Sequence, residues 1–68
     1  MIKEWKDQGC DYCRDHWFAY DGRLILLVDS IALQARLYQC PKCRCYWEES
    51  QRYAREISTD EARRNYSL

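Results

Sequence analysis

The chain has 68 residues, 11 of them Lys or Arg and 11 Asp or Glu, so its formal charge is zero. That length holds one small domain, residues 1–68, and no buried catalytic cleft of ordinary size is expected in it. The longest apolar run, Leu24 to Val28, is five residues, too short to span a membrane. No cationic start with a long apolar stretch marks a signal peptide, so a cytoplasmic setting, the reducing bacterial cytosol, is expected.

In chain order, Met1 to Gly9 is polar with Ile2 and Trp5 as apolar anchors, and reads as a short strand or a turn of helix. Gly9 suits a tight turn into the pair Cys10-Asp-Tyr-Cys13. His16 to Tyr20 reads as a short strand, and Asp21-Gly22 between apolar runs is a hairpin signal. Arg23 to Val28 is apolar on both faces, which predicts a central strand, with Asp29-Ser30 as the next turn. Ile31 to Gln39 alternates, placing Ile31, Leu33, Ala35 and Leu37 on one face, and predicts a strand that delivers Cys40. Tyr46-Trp47 restart a strand, Glu48-Glu49-Ser50 read as a turn or bulge, and Arg52 to Ile57 is again extended. Ser58 with Glu61 three residues on matches a capping box for a last short helix, with Asp60 and Glu61 favouring its positive end and Ala62 and Tyr66 on one face. The expected fold is small, metal-stabilised and mostly β: three to five short antiparallel strands and a C-terminal helix.

A core of this size leaves little stability to spare, and such chains need disulfides, a metal or a partner. The five cysteines fall as Cys10-x2-Cys13, Cys40-x2-Cys43 and the extra Cys45, with 26 residues between the pairs. Two C-x2-C pairs across a long insert are the arrangement of a four-thiolate zinc site. Cys10, Cys13, Cys40 and Cys43 are therefore the expected ligands of one structural Zn²⁺. A disulfide framework fits less well, because the cysteine count is odd and no secretory signal is seen. A redox C-x-x-C needs a βαβ context that is not readable here. Cys45 reads as a free thiol beside the site, with a substitute ligand or redox-sensitive thiol as the sharper reading. His16, three residues after Cys13, reads as a histidine near the metal and not a ligand, since four positions are already filled. Four thiolates and one Zn²⁺ take the formal charge to about −2, and Lys42 and Arg44 are placed to offset it.

Over Cys10 to about Trp47, and most closely at Tyr38-Gln-Cys-Pro-Lys-Cys-Arg-Cys-Tyr-Trp47, the chain resembles a zinc ribbon. The resemblance implies two cysteine knuckles on β-hairpins around one zinc. Ribbons often carry Gly just after the second knuckle cysteine, where the backbone turns left-handed; here Arg44 stands there. The second half, from Cys-Pro-x-Cys through Tyr46-Trp47-Glu48 to the Asp-Glu-Ala-Arg helix, also looks like small bacterial zinc-ribbon proteins, some of them immunity or accessory proteins beside toxins.

A domain this small cannot bury three Trp, six Tyr and a Phe, and Trp, Tyr and Arg dominate interface energies. The expected function is a non-catalytic, zinc-stabilised module that binds another protein, such as an immunity protein or adaptor that inhibits or escorts a toxin-like partner. Its candidate surface is Trp5, Tyr12, Trp17, Tyr20, Tyr46, Trp47 and Tyr53 with Glu48 and Glu49, within a wider acidic set of Glu56, Asp60 and Glu61 that suits a basic partner. Exposed aromatics equally support a homodimer. The alternative is a nucleic-acid-binding ribbon, with Arg14, Arg23, Arg36, Lys42, Arg44, Arg52, Arg55, Arg63 and Arg64 on phosphates and aromatics on bases. The lack of basic excess disfavours it. A structural subunit, zinc store or sensor is a further reading. No catalysis is expected: four thiolates leave zinc no open position, the Asp15-His16 neighbours carry no motif, and the deaminase signature is absent.

Overall fold

In the computed structural model, which describes residues 4–68, the chain forms a four-stranded antiparallel sheet with one helix on each face. A single 3-10 turn, Trp5–Asp7, precedes helix α1 (Asp11–Ala19). Strands β1 (Ile25–Ser30), β2 (Ala35–Gln39), β3 (Tyr46–Ser50) and β4 (Ala54–Ile57) follow as a meander in the order β1-β2-β3-β4, and helix α2 (Thr59–Tyr66) closes the chain. Ile2, one of the two N-terminal anchors, lies outside the described residues.

The strand period of two sorts the core into two halves. In β2, Ala35 and Leu37 are buried and Arg36 between them is exposed. In β3, Trp47 lies opposite Tyr38 and Glu48 opposite Leu37, so two buried neighbours serve opposite faces. On one face Ala35, Leu37 and Ile57 pack with Ala62 and Tyr66 of α2. On the other, Cys13 and Trp17 of α1 pack with Leu24, Cys40 and Trp47. Covering both faces is how so short a chain buries the inner strands β2 and β3.

The antiparallel sheet and the C-terminal helix agree with the sequence reading, and α2 starts at the expected N-cap, with Ser58 Oγ accepting from the Glu61 N–H at 3.1 Å; the other half of the capping box is not formed, and the Glu61 carboxylate pairs with Arg55 instead. Several element boundaries differ. His16 to Tyr20 is the second half of α1, not a strand. Cys13, His16 and Trp17 are its buried residues, a helical spacing. Tyr20 ends the helix in a left-handed conformation, so Asp21-Gly22 links helix to strand and turns no hairpin. β1 is an edge strand, not a central one. Among the described residues it pairs only with β2, it carries a bulge between Leu26 and Val28, and Ile25, Leu26 and Leu27 are exposed. Asp29-Ser30 end β1, and residues 31–34 form the turn, where the Gln34 N–H donates to Ile31 O at 3.2 Å. The strand into Cys40 therefore starts at Ala35. Glu48, Glu49 and Ser50 continue β3, and the turn comes at Gln51-Arg52, with the Ser50 N–H donating to Tyr53 O at 2.8 Å.

Candidate metal centre

Each cysteine pair sits in a backbone turn that aims its sulfurs inward. The first opens α1: Cys10 is the N-cap, and its N–H donates to Cys13 Sγ at 3.1 Å, sulfur standing where a carboxylate closes a capping box. Helix amide dipoles at that end favour thiolate charge. The chain enters through Gly9 at φ +59°. A Cβ there would lie 2.4 Å from Cys13 Sγ and 3.0 Å from the Trp47 indole, so the close approach and the left-handed backbone both require glycine. The second pair lies on the β2–β3 hairpin. The Arg44 N–H donates to Cys40 O at 2.9 Å and the Cys40 N–H to Cys45 O at 3.0 Å. The amides of Lys42 and Cys43 point at Cys40 Sγ from 3.4 and 3.5 Å. Arg44 takes φ +62°, the left-handed geometry that a ribbon knuckle places at this position. One knuckle is thus on a hairpin and the other on a helix start, where the resemblance implied two hairpins.

The sulfurs of Cys10, Cys13, Cys40 and Cys43 all lie within 4.8 Å of one another. Cys10–Cys13 is 3.6 Å, Cys10–Cys40 3.7 Å and Cys13–Cys43 3.8 Å. Zinc at about 2.3 Å from four sulfurs makes a tetrahedron with an edge of roughly 3.8 Å. Three of the six sulfur–sulfur edges match that figure, and none of the four thiols is joined as a disulfide. Burial pushes the Cys13 thiol up to about 12, against the Cys10 amide and the Trp47 indole N–H, which favour its thiolate; that indole N–H has no hydrogen bond of ordinary geometry. Burial also raises Cys40. At the exposed Cys43, burial is outweighed by the Cys45 amide and the neighbouring thiols, and its pKa falls to about 7. Packed thiols that burial keeps protonated are the donor set a divalent cation ionises on binding. Four thiolates fill a tetrahedral shell, which makes such a site structural.

Cys45 Sγ lies 3.2 Å from Cys43 Sγ and 3.7 Å from Cys13 Sγ, outside the mutually close four. His16 is buried away from that set. Its ring packs edge-on against Trp17 at 4.7 Å, and its Nδ1 is 3.9 Å from Asp21 Oδ1 with no hydrogen-bond partner.

The aromatic and acidic candidates are scattered through the fold. Trp47 and Trp17 are core residues, and Trp5 caps them with its ring 5.3 Å from Trp47. Tyr12 lies between the Arg23 guanidinium and the Lys42 ammonium, at 4.8 and 4.6 Å from its ring, so Lys42 serves a cation–π contact. Tyr46 packs beneath α2. Tyr20 and Tyr53 are exposed. Glu48 is buried and accepts from Tyr66 Oη at 2.6 Å, Tyr53 Oη at 3.3 Å and Arg55 Nη2 at 3.2 Å. Glu49 accepts from the hydroxyls of Tyr20 and Tyr38 at 3.2 Å each, and Glu61 pairs with Arg55. The expected acidic face is therefore largely internal network. Four of the arginines are engaged likewise: Arg14 with Asp11, Arg23 with Asp21, Arg36 with Asp29 and Arg55 with Glu48.

The residues missed are apolar. Phe18 is 76% exposed and Ile31 90%, and Ile25, Leu26, Leu27 and Leu33 are exposed beside Ile31 along β1 and its turn. The apolar run at Leu24 to Val28 carried that signal but reads equally as a buried strand. Among the described residues no helix is long and apolar enough to cross a membrane. No protein-family model, curated protein or solved structure matches the chain.

Proposed function

We propose that this chain is a non-catalytic module, held together by one Zn²⁺ on Cys10, Cys13, Cys40 and Cys43, whose task is to bind another protein. The observation that carries the binding reading is the outer edge of β1. Edge strands are normally blunted by charge, Pro or cover. β1 has a bulge, but its only charge is Asp29, and Ile25, Leu26 and Leu27 stand exposed along it. Its outer backbone groups, unpaired among the described residues, suit strand addition: main-chain hydrogen bonds give affinity and the flanking aliphatic side chains give selectivity. This moves the binding surface from the aromatic and acidic residues singled out in the sequence to the β1 edge. The roles that fit are those of an adaptor or immunity protein, which escorts or inhibits the chain it pairs with.

The test is native mass spectrometry of the chain co-expressed with its genomic neighbours, beside the variant Leu26→Lys. The expected result is one zinc per chain and a stoichiometric protein complex, with Leu26→Lys losing the partner and keeping the zinc. A zinc-loaded chain that carries only nucleic acid, released by salt, would contradict the protein-binding reading and favour phosphate recognition.

A further inference from the structure

We propose that Cys45 is an alternative ligand of the metal, so that Cys10, Cys13 and Cys40 hold the ion together with either Cys43 or Cys45. The inference rests on the four-thiolate zinc reading above and deepens it. Cys45 Sγ is 3.7 Å from Cys13 Sγ. That spacing falls among those of the four close sulfurs and near the roughly 3.8 Å edge of a zinc–thiolate tetrahedron. It is also 3.2 Å from Cys43 Sγ, so Cys43 is the ligand it stands nearest to replacing. The backbone fixes it there. Arg44 reverses the chain at φ +62° between the two cysteines, and Cys45 O accepts the Cys40 N–H at 3.0 Å, so the fifth thiol belongs to the knuckle itself. The two candidates differ in exposure: Cys43 is open to solvent and Cys45 is half-buried behind it. A reagent reaching the site first meets Cys43, a ligand with a substitute thiol in contact.

The exchange needs no redox step. The Cys45 thiol gives up its proton as its sulfur bonds to the ion. The Cys43 sulfur leaves as thiolate and takes up a proton, so the charge of the site is unchanged. Cys45 touches Cys13 as well as Cys43, but Cys13 is buried and Cys43 exposed, so Cys43 is the ligand free to leave.

The test compares wild type, Cys43→Ser, Cys43→Ala, Cys45→Ser and the double variant Cys43→Ser/Cys45→Ser. Zinc stoichiometry and affinity are measured, together with the sulfur-to-metal charge-transfer band of the Co²⁺ forms, whose intensity counts bound thiolates. Either Cys43 variant is expected to keep one zinc, an affinity within about tenfold of wild type and a full four-thiolate band. Cys45→Ser is expected to match wild type through Cys43. The double variant is expected to drop to a three-thiolate band and to weaken by more than the roughly 10–100-fold that loss of an outer-shell group costs. If both Cys43 variants fall as far as the double variant, Cys45 is not a ligand. If wild type takes up no zinc, the metal reading itself fails, and this inference with it.

Discussion

Gly9 shows how closely single residues are tied to the cysteine cluster. Any side chain there meets Cys13 Sγ at 2.4 Å on a backbone at φ +59°. Gly9→Ala is expected to cost about 2–4 kcal/mol in denaturant unfolding of the zinc-loaded protein, from left-handed strain plus overpacking. Gly22 has φ +77° with nothing within 4 Å, so Gly22→Ala is expected to cost only the backbone part, about 1–2 kcal/mol. Equal losses would mean that the cluster is looser than this geometry. His16 gives a pH-dependent counterpart. Burial lowers its pKa from 6.5, outweighing Asp21 and Glu49, which raise it, while Arg23 lowers it further. The unfolded state then takes up the proton first, so this contribution to stability is complete above about pH 6.5 and declines as pH falls below it. His16→Gln is expected to flatten the stability slope on the acid side; identical slopes in the two proteins would contradict a buried neutral imidazole.

Among the elements, α1 is the one the proposed zinc bears on most. It is nine residues long, too short to persist alone, and its first turn is built from Cys10 and Cys13. Removing the metal is expected to abolish the α1 share of the far-UV circular dichroism, and a helix signal unchanged by chelation would oppose this. The other helix is anchored differently. Its Ser58 cap accounts for about 1 kcal/mol, read as the loss on Ser58→Ala. Behind it, buried Glu48 ties Tyr66 of α2 to Arg55 of β4, and Glu48→Gln is expected to cost about 1–3 kcal/mol. These elements also show what the sequence made legible. The Ser58–Glu61 cap and the period-two burial of β2 are local signals, and both hold in the fold. α1 was hidden because His16-Trp17-Phe18-Ala19-Tyr20 is aromatic enough for a strand, while the buried Cys13, His16 and Trp17 emerge as one stripe only once Cys13 is counted with them. β1 read as central because apolarity on both faces normally means burial. Here the third side of that strand, its hydrogen-bonding edge, has no partner among the described residues, and position in the sheet is a property of topology that composition does not carry.

For the molecule as a whole, two thin core layers separated by one sheet leave few fully buried side chains: Trp47, Leu37, Cys13 and Cys40 are the largest. Two of those four are cysteines of the cluster. The spacing of the two C-x2-C pairs was enough to bring their sulfurs together in the sequence reading, because ligand convergence depends on two local turns and one closure. The binding surface was not legible, because it depends on which aromatics the sheet and helices cover. Structural zinc supplies about 10–16 kcal/mol in small domains, as much as an entire domain's ordinary stability. Metal, helix α1 and one core layer should therefore be lost together. The most direct measurement is a chelator titration followed at once by metal content and circular dichroism. The expected result is one zinc per chain, released in a single transition with loss of structure, reproduced by Cys40→Ser and not by Cys45→Ser. A protein that keeps its fold after the metal is gone, or that carries no metal and has paired its cysteines as disulfides, would contradict the account.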